Sequence, residues 1–260
     1  MKIVQKLCIL LLCTPLFGRT IHISSQEATE IGRRIWHNEC AGSIEKLTFW
    51  KEGEEFASLG IGHFIWFPAN YKGPFKETFP ALITFLHKHG VQLPKWLKHA
   101  PPCPWNSRDE FVKDLNSKRM NELRDILANT IELQTKFITQ RLIHALPNMY
   151  KRISFHDKKH IEHQFYRVAT SPLGVYALID YLNFKGEGTN TAEQYNGQGW
   201  GLLQVLLAMK GKEKGPDALK EFAEQAKRLL SRRVKNSPAE RNEQVWLPGW
   251  HNRINTYINS

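Results

Sequence analysis

The run Trp36-His37-Asn38-Glu39-Cys40-Ala41-Gly42, followed by Leu47-Thr48-Phe49-Trp50-Lys51-Glu52-Gly53-Glu54-Glu55-Phe56-Ala57-Ser58-Leu59-Gly60-Ile61-Gly62-His63, decides how the rest of the chain is read. Its first part closes a helical pattern. Ala28, Ile31, Ile35 and Trp36 recur at helical spacing, and Ser24/Ser25 with Glu27 supply an N-cap and capping box upstream. The second part is rich in aromatic and β-branched residues and is broken by Gly53. It reads as a short hairpin with Phe56–Ile61 as the second strand. Gly60 and Gly62 on either side of Ile61 mark a backbone that another element approaches closely.

Toward the N-terminus, Lys2 and Lys6 precede the apolar run Leu7–Leu12 and then Thr14-Pro15-Leu16-Phe17-Gly18. A cationic head, a short apolar stretch and a small residue form the layout of a secretory signal peptide, assigned to 1–18. A membrane anchor is the alternative, although the run is shorter than the roughly 20 apolar residues that span a bilayer. Residues 19–260 are then expected as one domain, periplasmic or secreted. The chain carries a formal charge of +11. Such a surplus concentrates anionic partners by long-range attraction. No RNA-binding signature, zinc finger or continuous basic arm is present, so nucleic acid is not the expected partner. For an exported chain the anionic cell envelope is. With Cys8 and Cys13 in the leader, Cys40 and Cys103 remain, and in an oxidising compartment two cysteines most simply form one disulfide.

Toward the C-terminus the pattern is helical. Pro68–Trp105 is proline-rich and irregular, with a small helix near Pro80–His89. Ser107-Arg108-Asp109-Glu110 gives a second capping box. Met120, Leu123, Leu127, Ile131, Ile138, Leu142 and Leu146 form a long helical pattern that Pro147 is expected to end. Further helices are expected over His156–Thr170, Pro172–Phe184, Leu202–Met209, Asp217–Ser231 and Pro238–Trp246. In the last, Ser237 is the N-cap and Pro238 the first helical residue. Gly186–Gly201 reads as a polar loop.

Glycoside hydrolysis needs a carboxylic acid that protonates the leaving oxygen, and an apolar setting keeps such an acid neutral. Glu39, beside Trp36 and Cys40 at a helix end, suits that role; a solvated helix-terminal glutamate is the plain alternative. His156, His160 and His163 share a helical face but lack a carboxylate or cysteine to complete a metal site. No Gly-x-Ser-x-Gly elbow supports Ser-His-Asp catalysis. A Cys40 thiolate would be unfavourable in an oxidising compartment.

The stretch from Asn38-Glu39 through Leu47–Gly53 to Ser58–His63 resembles the active-site segment of phage-type lysozymes. In that family a catalytic Glu ends a helix, an aromatic, a carboxylate and a Gly turn follow, and the strand finishes in Gly-(Ile/Tyr)-Gly-His. The resemblance implies an α+β, mainly α-helical, lysozyme-like two-lobe fold with a small N-terminal β-hairpin. It makes Glu39 the general acid and Ser58 the hydroxyl that holds the attacking water. His63 closes the motif. The second carboxylate is Glu54 or Glu52, both Glu where the family uses Asp. The interval from Glu39 to Ser58 is longer than the family's, the excess falling in Cys40–Ile44. Glu45 fits a shorter count but lacks the helical pattern before it.

Downstream, Ala177–Gly186 is similar to the helix that runs into Phe-Asn-x-Gly in these lysozymes. Gln194–Gln204 is similar to Gly-x-x-Gln loops of goose-type lysozymes and lytic transglycosylases. These echoes imply substrate contacts at Asn183, Tyr195, Gln198, Trp200 and Gln204, together with His63; a tight helix–helix turn around a buried Trp is the alternative for the loop. The resemblance implies a monomeric peptidoglycan-cleaving glycosidase acting on glycan strands without a cofactor, either a muramidase or a lytic transglycosylase. One rival is a non-catalytic wall-binding or inhibitor protein on the same scaffold. Another is an exported toxin directed at a competitor's wall.

Overall fold

The computed structural model describes residues 21–71, 73, 75–98, 101–191 and 193–258, so the signal-peptide assignment at 1–18 lies outside the described residues. It is mainly helical with one small antiparallel sheet near the N-terminus. Helix α1, Ser25–Cys40, starts as the sequence dictates. The Glu27 N–H donates to the Ser24 hydroxyl at 3.2 Å and the Ser24 N–H donates to the Glu27 carboxylate at 2.7 Å. It stops at Ala41, whose φ of 52° cannot continue a right-handed helix.

A single 3₁₀ turn, Glu45–Leu47, leads into a meander of three strands where two were expected: β1 Thr48–Phe49, β2 Ala57–Leu59 and β3 Phe64–Trp66. Register pairs Phe49 with Ser58 and Ser58 with Ile65. The third strand escapes a hairpin reading because only three residues separate it from the Gly60–His63 turn's start. Beyond it lie α2 (Phe79–Lys88), α3 (Arg108–Lys113), α4 (Lys118–Asn129) and α5 (Ile131–Tyr150). The long pattern is therefore two helices, parted at Thr130, whose side chain bonds back to the Ile126 carbonyl. Pro147 does not end α5, which runs to Tyr150. In the second capping box the Ser107 hydroxyl accepts from Glu110 as expected, but the Glu110 carboxylate accepts from the N–H of Asn106, not of Ser107.

Helices α6 (Phe155–Val168) and α7 (Pro172–Lys185) follow, then the small hairpin β4 (Gln194–Tyr195) and β5 (Gln198–Gly199). The chain closes with α8 (Leu202–Ala208), α9 (Pro216–Asn236) and α10 (Leu247–Asn255). No helix covers Pro238–Trp246. That segment holds two 3₁₀ turns around Asn242, whose φ of 46° breaks the helical run, and Ser237 ends α9 instead of capping a new helix. Helix α7 is buried on nearly every side and sits against α1, α5, α6 and α8. No described helix is long and apolar enough to cross a membrane.

Cys40 and Cys103 do not form the expected disulfide. Each is a free, buried thiol pushed up to about 12, mainly by burial. For Cys40 the neighbouring Glu39 charge adds to the effect.

The turn that joins β2 to β3 is anchored from α5. Gln134, fully buried, accepts the Ile61 N–H at 3.0 Å and donates to the Leu127 carbonyl at 2.6 Å. Gly60 has a φ of +68°, and a Cβ there would collide with the Gln134 carboxamide, so only glycine fits. The Gln134→Leu variant leaves the buried Ile61 N–H without an acceptor and is expected to lose about 1–3 kcal/mol of stability. Urea denaturation measures this, and a loss below about 0.5 kcal/mol would show that the turn does not depend on Gln134.

Candidate active site

Glu39 occupies the last turn of α1, with its side chain 15% exposed. One carboxylate oxygen accepts a hydrogen bond from the Arg253 guanidinium, brought in by α10. The other lies 3.5 Å from Nδ1 of His63, at the end of the Gly60–His63 turn. His63 reaches Glu39 because its own φ is 46°, which swings the side chain out of the strand direction. The apolar surroundings expected for Glu39 are therefore absent, and a guanidinium and an imidazole flank it instead.

Arg253 is itself held from behind. It donates to both oxygens of Asp180, at 2.8 Å from Nε and 2.8 Å from one terminal nitrogen. Asp180 lies on α7 and has no exposed surface. It also accepts from the Tyr257 hydroxyl at 2.6 Å and from the Asn38 amide at 3.4 Å. Asn38 donates in turn to the Tyr176 hydroxyl at 2.6 Å. A buried carboxylate is tolerable only when charge and hydrogen bonds compensate it, and these donors do so. Burial works against the Arg253 charge, but the Asp180 and Glu39 carboxylates outweigh it and hold the guanidinium firmly protonated. Burial and then the Asp180 charge push the Tyr257 and Tyr176 hydroxyls up, so both stay neutral.

Ser58 sits at the centre of β2 and is buried. Glu52 is exposed near the hairpin tip. The Glu54 carboxylate lies 3.9 Å from Lys51, and its backbone carbonyl accepts from the Trp50 indole at 2.7 Å. No hydrogen bond or ion pair among the described residues links Glu52, Glu54 or Ser58 to Glu39 or its partners. The carboxylate that the fold does connect to Glu39 is Asp180, through Arg253.

The downstream candidates divide. Arg253 stacks over Phe184, its guanidinium carbon 4.4 Å from the ring centre, and Phe184 opens onto a cavity of about 590 Å³. Asn183, Tyr195 and Trp200 line that cavity. Gln198 is exposed and accepts from Asn236, whereas Gln204 donates to the Gly188 carbonyl and packs under Gly199, bracing the loop from inside. The cavity also receives residues that sequence reading passed over. Lys185 is buried with its ammonium 3.5 Å from the Trp250 ring centre and 3.9 Å from that of Phe184. Arg233 forms a two-pronged pair with Glu243, at 2.8 and 2.6 Å, and lies over Trp200. Burial, and then Arg233 and Arg253, lower Lys185 to about 7 despite Glu243.

Asp180 offered one sequence signal: a lone acid inside the otherwise apolar run Val175–Leu182. Arg253 offered none, since it is one of many basic residues. Among the described residues no three His, Cys, Asp or Glu side chains converge as a metal ion would require. No protein-family model, curated protein or solved structure matches the chain.

Arg253→Met strands the buried Asp180 carboxylate and is expected to cost about 3–5 kcal/mol, part of which the added Asp180→Asn change recovers. Chemical denaturation of the single and double variants decides it, and a double variant no better than the single would contradict the pairing. For Lys185, the unfolded side chain keeps its proton up to about 10.5, whereas the folded one loses it near 7. Between those values the unfolded state binds more protons, so this residue's contribution to stability improves as pH rises. Lys185→Met is therefore expected to exceed wild type in stability at pH 7, with the gap narrowing toward pH 10. A gap independent of pH would refute this account.

Proposed function

We propose that the chain cleaves the glycan strand of peptidoglycan, with Glu39 transferring the proton. The observation that supports this most is the convergence of Glu39 from the end of α1, His63 from the Gly60–His63 turn and Arg253 from α10, at the head of an aromatic-lined cavity. Together with the mainly helical fold and its small sheet, this favours a lysozyme-like arrangement, with the glycan lying in a cleft between the sheet and the helices. The high positive charge draws the chain to the anionic wall.

Among the two chemistries, lytic transglycosylation is favoured. Hydrolysis calls for a second group that positions water, yet Glu54 is turned to Lys51 and Ser58 is buried. Transglycosylation needs one carboxyl group. Glu39 gives a proton to the glycosidic oxygen as its bond to the anomeric carbon breaks. It then takes a proton from the sugar's own hydroxyl as that oxygen closes on the anomeric carbon, leaving an anhydro end and consuming no water. Between the two transfers Arg253 keeps the Glu39 carboxylate in place.

A second reading has its own support: the tight pairing of Glu39 with Arg253 is what a purely structural ion pair would look like, as in a wall-binding protein without activity. Clearing of a peptidoglycan suspension separates the two. Wild type is expected to clear it and to release anhydro-ended fragments by mass spectrometry, and Glu39→Gln is expected to slow clearing at least about 100-fold with wall binding unchanged. Binding without clearing by wild type would establish the non-catalytic reading. Fragments with reducing ends would make the reaction hydrolysis.

A further inference from the structure

The last two turns of α1 carry three basic side chains on one face, Arg33, Arg34 and His37, at spacings of three and four residues. At the end of α10 the same spacing groups Asn252, Asn255 and Thr256. The two faces meet over Tyr176 of α7 and enclose a cavity of about 430 Å³, and no carboxylate among the described residues lines it. Its floor has no donor to spare. Asn38 donates to the Tyr176 hydroxyl and to Asp180, Tyr176 bonds Thr256 at 2.8 Å, and Thr256 donates to the Arg253 carbonyl at 2.7 Å. The rim differs. Arg33, His37 and Asn252 are exposed, and their side chains make no hydrogen bond or ion pair among the described residues. Arg34 gives only its Nε to Glu30, at 3.1 Å, and lies over Tyr176 with its guanidinium carbon 5.9 Å from the ring centre. Lys227 donates to the side-chain oxygen of Asn255, which leaves the Asn255 amide nitrogen to seek another acceptor. The α1 dipole favours cations at this end of the helix, but it does not account for an open cavity between them.

We propose that this cavity is an anion site that takes a phosphomonoester, with Arg33 and Arg34 on its oxygens and the Asn252 and Asn255 amides donating beside them. Guanidinium forks match the spacing of phosphate oxygens, and two of them suit a group with up to two negative charges better than a singly charged carboxylate. Lys227, behind Asn255, adds to the same potential. Glu30 does not close the site, because an exposed ion pair on Nε alone is weak and leaves the terminal nitrogens of Arg34 to an anion. Since the floor is saturated, recognition falls to the rim, which reads the phosphate and leaves its substituent in solvent. A soluble phosphomonoester and a lipid headgroup of that type therefore present the same chemistry to it. None of the rim side chains is among those assigned to glycan cleavage, so the proposal stands independently of that reading.

The test titrates the full chain with glycerol 3-phosphate and with acetate at constant ionic strength, following the side-chain NMR signals of Arg33, Arg34, His37 and Asn252. Glycerol 3-phosphate is expected to bind at least about tenfold more tightly than acetate and to shift these signals together. Arg33→Gln combined with Arg34→Gln is expected to lower its affinity at least about tenfold. Asn252→Asp, a near-isosteric change on the exposed rim, adds a negative charge and should also weaken binding, with circular dichroism checking that both variants keep the fold. No saturable binding, equal affinity for the two anions, shifts confined to residues away from the cavity, or unchanged affinity in both variants would overturn the proposal. Vesicles of phosphatidylcholine doped with phosphatidic acid separate the two sources. Co-sedimentation that glycerol 3-phosphate competes away assigns the lipid headgroup. Its absence, or its survival in the double arginine variant, assigns the soluble ester.

Discussion

A carboxylate with no access to water, Asp180 in the middle of α7, is the constraint around which the candidate site is built. In the interior an ionised acid is tolerated only with a matched cation and saturated hydrogen bonds. Arg253 supplies the cation, while Tyr257 and Asn38 supply further bonds. Because these donors come from α1, α10 and the turn after it, satisfying one acid ties the two ends of the described chain to its central helix. Glu39 then accepts from the same terminal nitrogen of Arg253 that also donates to Asp180. Its position is a consequence of how Asp180 is neutralised.

The opposite wall is fixed by an uncharged device. Gln134 on α5 bonds the Ile61 N–H, and the glycines on either side let the helix side chains come close. That contact sets the Gly60–His63 turn, and the turn aims His63 at Glu39. Two buried polar groups, one ionic and one neutral, thus set the Glu39–His63 geometry from opposite directions. The first of these contacts reaches the cavity farther along α7 through Arg253, which also lies over Phe184. There the ordering principle is cationic: Arg253, Lys185 and Arg233 are layered between Phe184, Trp250 and Trp200, with Glu243 compensating one of them.

How much was legible in advance depends on the range of the interaction. The capping box at Ser24/Glu27 lies within one turn of helix, and its residue types specify its geometry directly. The close approach at Gly60–Gly62 was visible as a pair of glycines, although not its partner, Gln134, which is distant in sequence. Errors arose where local signals were ambiguous. Thr130 splits a continuous apolar pattern that carries no proline or glycine to mark the break, and Asn242 in a left-handed conformation undoes a segment with good helix-start residues. Two cysteines in an oxidising compartment suggest a bridge, but compartment says nothing about distance, and both thiols are free and buried.

The sequence by itself determined the helical character, the end of α1 just past Glu39 and the glycine-framed turn ending in His63. All of these are written in spacing, caps and backbone freedom over a few residues. Only the tertiary structure decided what Glu39 faces. Trp36 and Cys40 beside Glu39 suggest a dry acid, but the chain returns more than two hundred residues later to place Arg253 there. The physical reason is that a buried charge constrains its partners through space, with no periodicity along the chain. Asp180 and Arg253 find each other because each would be costly alone, and a linear reading has no means of pairing them.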